Sequence, residues 1–86
     1  MNINELIAIV KNKLETGIVI QDIKIEDKSF LHKNHKSHQV GKFHLKITIN
    51  SNELAKTSKI ISTKKIYSIL ELELKEYIHS IQILLN

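Results

Sequence analysis

Lys42-Phe43-His44-Leu45-Lys46-Ile47-Thr48-Ile49-Asn50-Ser51 alternates polar and apolar residues from Lys42 to Ile49. Successive side chains of a strand point to opposite faces, so Phe43, Leu45, Ile47 and Ile49 form one apolar face and Lys42, His44, Lys46 and Thr48 the other. This is the clearest period-two signal in the chain, and it predicts a half-buried strand. Asn50, Ser51 and Asn52 end it and offer a helix cap, because their short polar side chains bond to nearby backbone groups.

Downstream, residues 53–77 read as helical, with a break expected near Ser62-Thr63, where two weak helix formers supply a new cap before Lys64. Ile66, Leu70, Leu74 and Tyr77 share one face of the second half, and Tyr67 and Tyr77 are expected in the core with their hydroxyls at its rim. Residues 78–85 are too short and too β-branched for a helix and read as a third strand. In it His79 is in phase with Ile81, Ile83 and Leu85, which predicts a buried histidine.

Upstream, Leu6, Ile7, Val10 and Leu14 recur at helical spacing, predicting a helix over residues 3–16 capped by Asn2 or Asn4. Gly17 supplies a stop of the kind in which glycine takes the left-handed conformation. Residues 18–27 are β-branched and then alternate, Ile23 and Ile25 against Asp22, Lys24 and Glu26, and read as another strand. The order is helix, strand, strand, helix, helix, strand. It predicts one α+β domain over residues 1–86, αββααβ, with a three-stranded sheet covered by helices on one face.

Between the first two strands lies a connection of roughly fifteen residues, a length at which unstructured loops usually carry function. It holds His32, His35 and His38, three apart, and His44 follows on the next strand. Imidazole titrates near neutrality and is the commonest metal-binding side chain, so these residues are either candidate ligands for a divalent metal or a solvated, lysine-flanked loop. Ser29 lies nearby, but no Gly-x-Ser-x-Gly elbow surrounds it and no acid to orient a base is evident beyond Asp27 and Glu26.

Composition narrows the chemistry. With 86 residues the core is modest and a deep enclosed active site is not expected. There is no cysteine, so a thiolate zinc site or a cluster held by the chain's own sulfur is excluded. All thirteen basic residues are lysines and the net charge is +4. Lysine attracts phosphate or carboxylate as a point charge but lacks the planar fork with which arginine reads guanine. Lys56, Lys59, Lys64 and Lys65 span two short helices and their turn, an arrangement suited either to DNA or to solvent. Glu5, Lys11, Lys13 and Glu15 interrupt every apolar run near the start, so neither a secretory signal nor a membrane span is expected, and a cytoplasmic location is.

Taken in order, Asp27-x-Ser29-x-x-His32-x-x-His35, His44 opening a strand that ends at Ser51, Ile66-Tyr67 with Leu70, Glu73 and Leu74, and Ile78-His79 at the last strand resemble the BolA family over nearly the whole chain. The resemblance implies the same αββααβ fold, which is similar in element order to KH domains. The KH Gly-x-x-Gly clamp has no counterpart, since Gly17 and Gly41 are the only glycines.

The resemblance further implies a non-enzymatic partner of a monothiol glutaredoxin in iron–sulfur cluster trafficking or iron sensing, a monomer or weak homodimer when alone. A [2Fe–2S] cluster would be shared, with sulfur from the glutaredoxin cysteine and glutathione and nitrogen from a histidine of this chain, which has no cofactor of its own. His32 and His35 are the candidate ligands. Ser62-Thr63-Lys64 stands where the family has Arg-His-Arg, so Thr63 replaces the helix-side histidine. Lys56 replaces the glycine of the family's turn, and His38 has no counterpart. Lys59, Lys64 and Lys65 are the candidate partner contacts. The alternative is a DNA-binding transcriptional regulator using Lys56, Lys59, Lys64 and Lys65.

Overall fold

The computed structural model describes residues 1–29 and 42–86. His32, His35 and His38 lie outside the described residues. The elements run α1 (Ile3–Gly17), β1 (Asp22–Asp27), β2 (Phe43–Asn50), α2 (Asn52–Ala55), α3 (Lys59–Ile69), α4 (Glu71–Glu76) and β3 (Ile78–Leu85). The α+β architecture is the one read from the sequence, with the second helical region divided into three.

Helix α1 is capped by Asn2, whose side chain accepts from the Glu5 N–H at 2.9 Å while its amide donates to Glu5 Oε1 at 2.8 Å. The first bond satisfies one backbone donor left open in the first turn, and the second holds the capping side chain in place. Leu6, Val10 and Leu14 face inward and are fully buried. Gly17 is the last helical residue, and the cap after it, Ile18, is extended with φ −138°. The left-handed stop expected at Gly17 is not used. Close packing marks the position instead: a Cβ here would lie 2.9 Å from Ile69 Cδ1 of α3, so the end of that side chain would have to turn aside to admit one.

The sheet order is β1-β2-β3, with β1 and β2 antiparallel and β2 and β3 parallel. Ile23 pairs with Ile49 and Ile25 with Ile47, so apolar residues meet across the hairpin. Strand β1 starts at Asp22, four residues later than the sequence suggests. Before it, buried Ile18 belongs to the core and Gln21 N donates to Asn50 O at 2.9 Å. The parallel β2 and β3 need a long connection, which the helices after β2 provide. Leu45, Ile47 and Ile49 of the central strand are buried against Leu6, Val10, Leu14, Leu54, Ile66, Leu70 and Ile78 in one cluster.

The break in the second helical region falls at Lys56-Thr57-Ser58, not at Ser62-Thr63. Ser58 caps α3 by accepting from the Ile61 N–H at 3.1 Å. Ser62 is buried inside α3, its hydroxyl 2.7 Å from Thr57 Oγ1 and donating to Leu54 O at 3.3 Å. A small hydroxylated residue is thus used to pack α3 against the turn after α2. At Leu70 the helix bends into α4, although Leu70 N still donates to Ile66 O and Leu74 N to Leu70 O. Tyr77 packs against the core, as read, whereas Tyr67 is 44% exposed on the outer face of α3.

Strand β3 contains the largest departure from simple alternation. Phe43 is opposite Ile78, but His44 is opposite Ser80, so His79 is an extra residue in the ladder. Such a bulge reverses the parity of everything before it. Ile78 is therefore buried on the same side as Ile81 and Ile83, and His79, expected in the core, is exposed.

Candidate functional site

Lys42-Phe43-His44 begins β2 at the end of the sheet where the bulge lies. Phe43 N donates to Tyr77 O at 2.9 Å, and Lys28 N donates to His44 O at 2.7 Å. Asp27 accepts from the Ser29 N–H at 2.9 Å, an aspartate turn that presents the Ser29 hydroxyl to the His44 N–H at 3.0 Å. Ser29 therefore closes the end of the β1–β2 pairing, consistent with a turn residue and not with a nucleophile. These bonds fix the backbone of His44, whose side chain points away from the helices, as the alternation predicts, yet is only 4% exposed.

Both ring nitrogens of His44 are engaged. Nδ1 lies 2.6 Å from Ser80 Oγ, and Nε2 lies 3.2 Å from His79 Nδ1, with the ring centroids 4.8 Å apart and the planes at 74°. A hydrogen bond between two imidazoles needs a proton on one nitrogen and a lone pair on the other, so two charged rings are incompatible with it. The hydroxyl of Ser80 can donate or accept, and the three groups therefore form a relay of either direction. In one direction Ser80 accepts from His44 Nδ1–H and His44 Nε2 accepts from His79 Nδ1–H. His79 Nε2, the outer nitrogen of an exposed side chain with no hydrogen-bond partner among the described residues, then carries a lone pair.

That is the protonation state a metal-binding imidazole requires, since a ligating histidine commonly donates its other N–H to a protein acceptor. Among the described residues the donor set fits a single nitrogen ligand. Among the described residues no three His, Cys, Asp or Glu side chains are grouped to hold a metal ion. Any sulfur would come from a partner, because the chain has no cysteine.

The histidine pair was missed by strict alternation. A signal was present, however: Ile78 and Ile81 are three apart, and both can face the core of a strand only if one extra residue lies between them. His44 and His79 are brought together by that residue, whereas the loop ligand candidates His32 and His35 fall outside the described residues.

Thr63 and the lysines occupy a different surface. Lys59, Thr63 and Lys64 line a shallow depression of about 380 Å³ with Ile60 and Tyr67 on the outside of α3. Lys56, Lys59, Lys64 and Lys65 are all exposed, and Lys65 Nζ is 3.0 Å from Glu53 Oε2 of α2. No helix among the described residues is long and apolar enough to cross a membrane.

No curated protein matches the sequence. Solved structures do. The chain is similar to the BolA domain of SufE1 from Arabidopsis thaliana, with 25% identity and a TM-score of 0.78 over 92% of this chain and 87% of that one. It is also similar to BolA1 from Arabidopsis thaliana, with 20% identity and a TM-score of 0.75 over 91% of this chain and 86% of that one. A bol-like protein from Babesia bovis shows the same fold at 17% identity, with a TM-score of 0.71 over 91% of this chain and 79% of that one. The family model described as BolA-like protein matches residues 14–86, a span that includes the sheet, the bulge and both described histidines, and the chain belongs to the BolA family.

Proposed function

We propose that this protein docks on a monothiol glutaredoxin and donates an imidazole nitrogen of His79 to a shared [2Fe–2S] cluster, in iron–sulfur trafficking or iron sensing. The observation that carries the reading is the 3.2 Å contact between His79 Nδ1 and buried His44 Nε2, which leaves the exposed His79 ring with one outward nitrogen. A chain without cysteine cannot build such a cluster alone, so the thiolates come from the glutaredoxin and glutathione. His32 or His35 of the loop is the candidate for a second nitrogen. Imidazole ligation raises a cluster's potential relative to all-thiolate ligation and makes release responsive to protons, which suits a trafficking or sensing role.

The test mixes the purified chain with a cluster-loaded monothiol glutaredoxin and follows visible circular dichroism together with the heat of binding. The reading expects a complex and a changed spectrum, with the spectral change lost in His79→Ala. A complex whose spectrum never changes rejects ligation, and the absence of any complex rejects the partner. Transcriptional regulation through Lys56, Lys59, Lys64 and Lys65 gains no support from a specific contact, since one of the four lysines is already paired with Glu53.

A further inference from the structure

The sheet has two edges, and they are built differently. Strand β1 forms one, and its exposed positions carry Asp22, Lys24 and Asp27, with Glu26 half-buried among them. Charges of this kind keep an open edge from pairing with another chain, because an added strand would have to oppose or bury them. Strand β3 forms the other edge and, among the described residues, pairs on one side only. No residue of Ile78–Leu85 is an acid, a lysine or a proline. This edge has none of the usual guards along its length.

The direction of its open hydrogen-bonding groups follows from the ladder. Asn86 N donates to Ile49 O at 2.9 Å, and backbone groups alternate sides along a strand. The N–H and C=O of Ser80, Gln82 and Leu84 therefore turn toward β2, and those of Ile81 and Ile83 turn toward the open edge. The side chains of Ile81 and Ile83 lie on the helical face and are only half-buried, so apolar surface remains beside those open groups.

We propose that the β3 edge is a self-pairing surface, at which β3 of a second copy of the chain adds antiparallel about a two-fold axis through Gln82. In that register Ile81 meets Ile83 of the second copy, and Ile83 meets its Ile81, each pair exchanging both backbone hydrogen bonds. The half-buried isoleucines cover one another, which is the cross-strand contact that stabilises a sheet. Gln82 meets its own counterpart on the axis, and Ser80 meets Leu84. A second copy fits because the open groups sit symmetrically on either side of Gln82, so the edge is complementary to itself. The net charge of +4 does not oppose the pairing, since the nearest lysine of the sheet is Lys46, aligned with Gln82 one strand inward. Across the axis the two Lys46 residues stand three strand spacings apart, about 14 Å, beyond the Debye length of about 8 Å at physiological salt. A strand of a different protein would use the same backbone groups, but no charge along β3 selects it. The paired stretch, residues 80–84, stops before the bulge, so His79 and His44 stay outside it and self-pairing does not depend on the glutaredoxin reading.

A chain without cysteine makes the test direct, because each introduced thiol is the only one. Two Gln82→Cys chains in this register place their Cα atoms about 4.5 Å apart in a non-hydrogen-bonded pair, within the span of a disulfide. Under mild oxidation at matched concentration, Gln82→Cys is expected to form linked dimer about tenfold faster than Lys24→Cys, an exposed position on the β1 edge. A mixture of Ser80→Cys and Leu84→Cys is expected to link faster than either variant alone. Sedimentation of the wild type should show a concentration-dependent dimer, which Gln82→Lys weakens about fivefold by setting two cations directly opposite each other, with circular dichroism to check that the variant keeps its fold. A wild type that stays monomeric into the millimolar range leaves the edge to a strand of another protein and overturns the inference. Equal linking rates for Gln82→Cys and Lys24→Cys, or a dimer that Gln82→Lys leaves unchanged, place any self-association elsewhere and overturn it too. Faster linking of Ser80→Cys with itself than with Leu84→Cys makes the pairing parallel and overturns the antiparallel register.

Discussion

Replacing His44 by leucine tests whether the buried imidazole serves the exposed one. His44→Leu removes both bonds of the relay, to Ser80 at 2.6 Å and to His79 at 3.2 Å. Each is worth about 1 kcal/mol net, so about 2 kcal/mol is lost. His79 and Ser80 are exposed and recover water, and leucine offers apolar surface to a site that was 4% accessible. The net change in folding stability is therefore about 1 kcal/mol or less. The effect on ligation is larger. Without an acceptor at Nδ1–H, His79 is neither oriented nor biased toward a lone pair at Nε2, and loss of such a supporting contact typically costs about 10- to 100-fold in metal affinity. His44→Gln retains a carbonyl that can accept from His79 Nδ1–H and should restore part of the loss. Two assays separate orientation from unfolding: urea denaturation for stability, and long-range proton–nitrogen NMR of the His79 ring, which reports the tautomer in the free protein. Cluster uptake from glutaredoxin supplies the third readout. Wild-type tautomer populations and wild-type uptake in His44→Leu, in a protein where His79→Ala abolishes uptake, would refute the relay.

Three further predictions concern the scaffold, each read by urea denaturation. Gly17→Ala gains helix propensity but sets a methyl 2.9 Å from Ile69 Cδ1, and turning that side-chain end aside should offset the gain and leave the variant within about 1 kcal/mol of wild type. Ile69→Val removes that atom, so the double variant should be more stable than the sum of the two singles by about 1 kcal/mol; additivity would argue against the contact. Lys13→Met strips the 2.7 Å partner from Glu73 Oε2, in a side chain that is 4% exposed and whose Oε1 has no partner among the described residues. Because Lys13 is itself 38% exposed, screening reduces the cost of breaking the pair to about 1–3 kcal/mol, and adding Glu73→Gln should recover much of it. Ser58→Ala should cost about 1 kcal/mol by uncapping α3, an effect that would be absent if the helix began at Ser62-Thr63.

Local rules carried most of the fold. Strict alternation from Phe43 to Ile49 located β2, the apolar spacing of Leu6, Val10 and Leu14 located α1, and β-branching with length located β3. What they missed depends on contacts between distant segments. Ser62 reads as a cap because serine is a weak helix former, but its hydroxyl is satisfied by Leu54 and Thr57, which lie across the α2–α3 turn. Gly17 reads as a left-handed stop, yet its backbone is not left-handed and what distinguishes the position is the Ile69 side chain packed over it. Tyr67 reads as core because aromatic residues usually are, and only the packing of Ile66 and Ile69 shows which side of α3 faces inward. The family was legible from the order of its short motifs. The histidine pair was not, because it depends on a register shift that a one-strand reading does not contain.

That register shift connects the fold to the site. The apolar core needs Ile78 on the same side of the sheet as Ile81 and Ile83, and regular alternation would place it opposite them. One extra residue resolves the conflict, and an extra residue in a ladder is pushed out of regular pairing and toward solvent. The residue at that position is His79, and its neighbour across the bulge is the one residue of β2 whose side chain is a buried imidazole. Burial of Ile78 and exposure of His79 are thus coupled: a chain that slipped β3 by one residue to restore alternation would expose Ile78 and withdraw the histidine from His44. The core therefore stabilises the register that holds the exposed imidazole against its buried partner, and the site's geometry is maintained by apolar packing on the opposite face of the sheet.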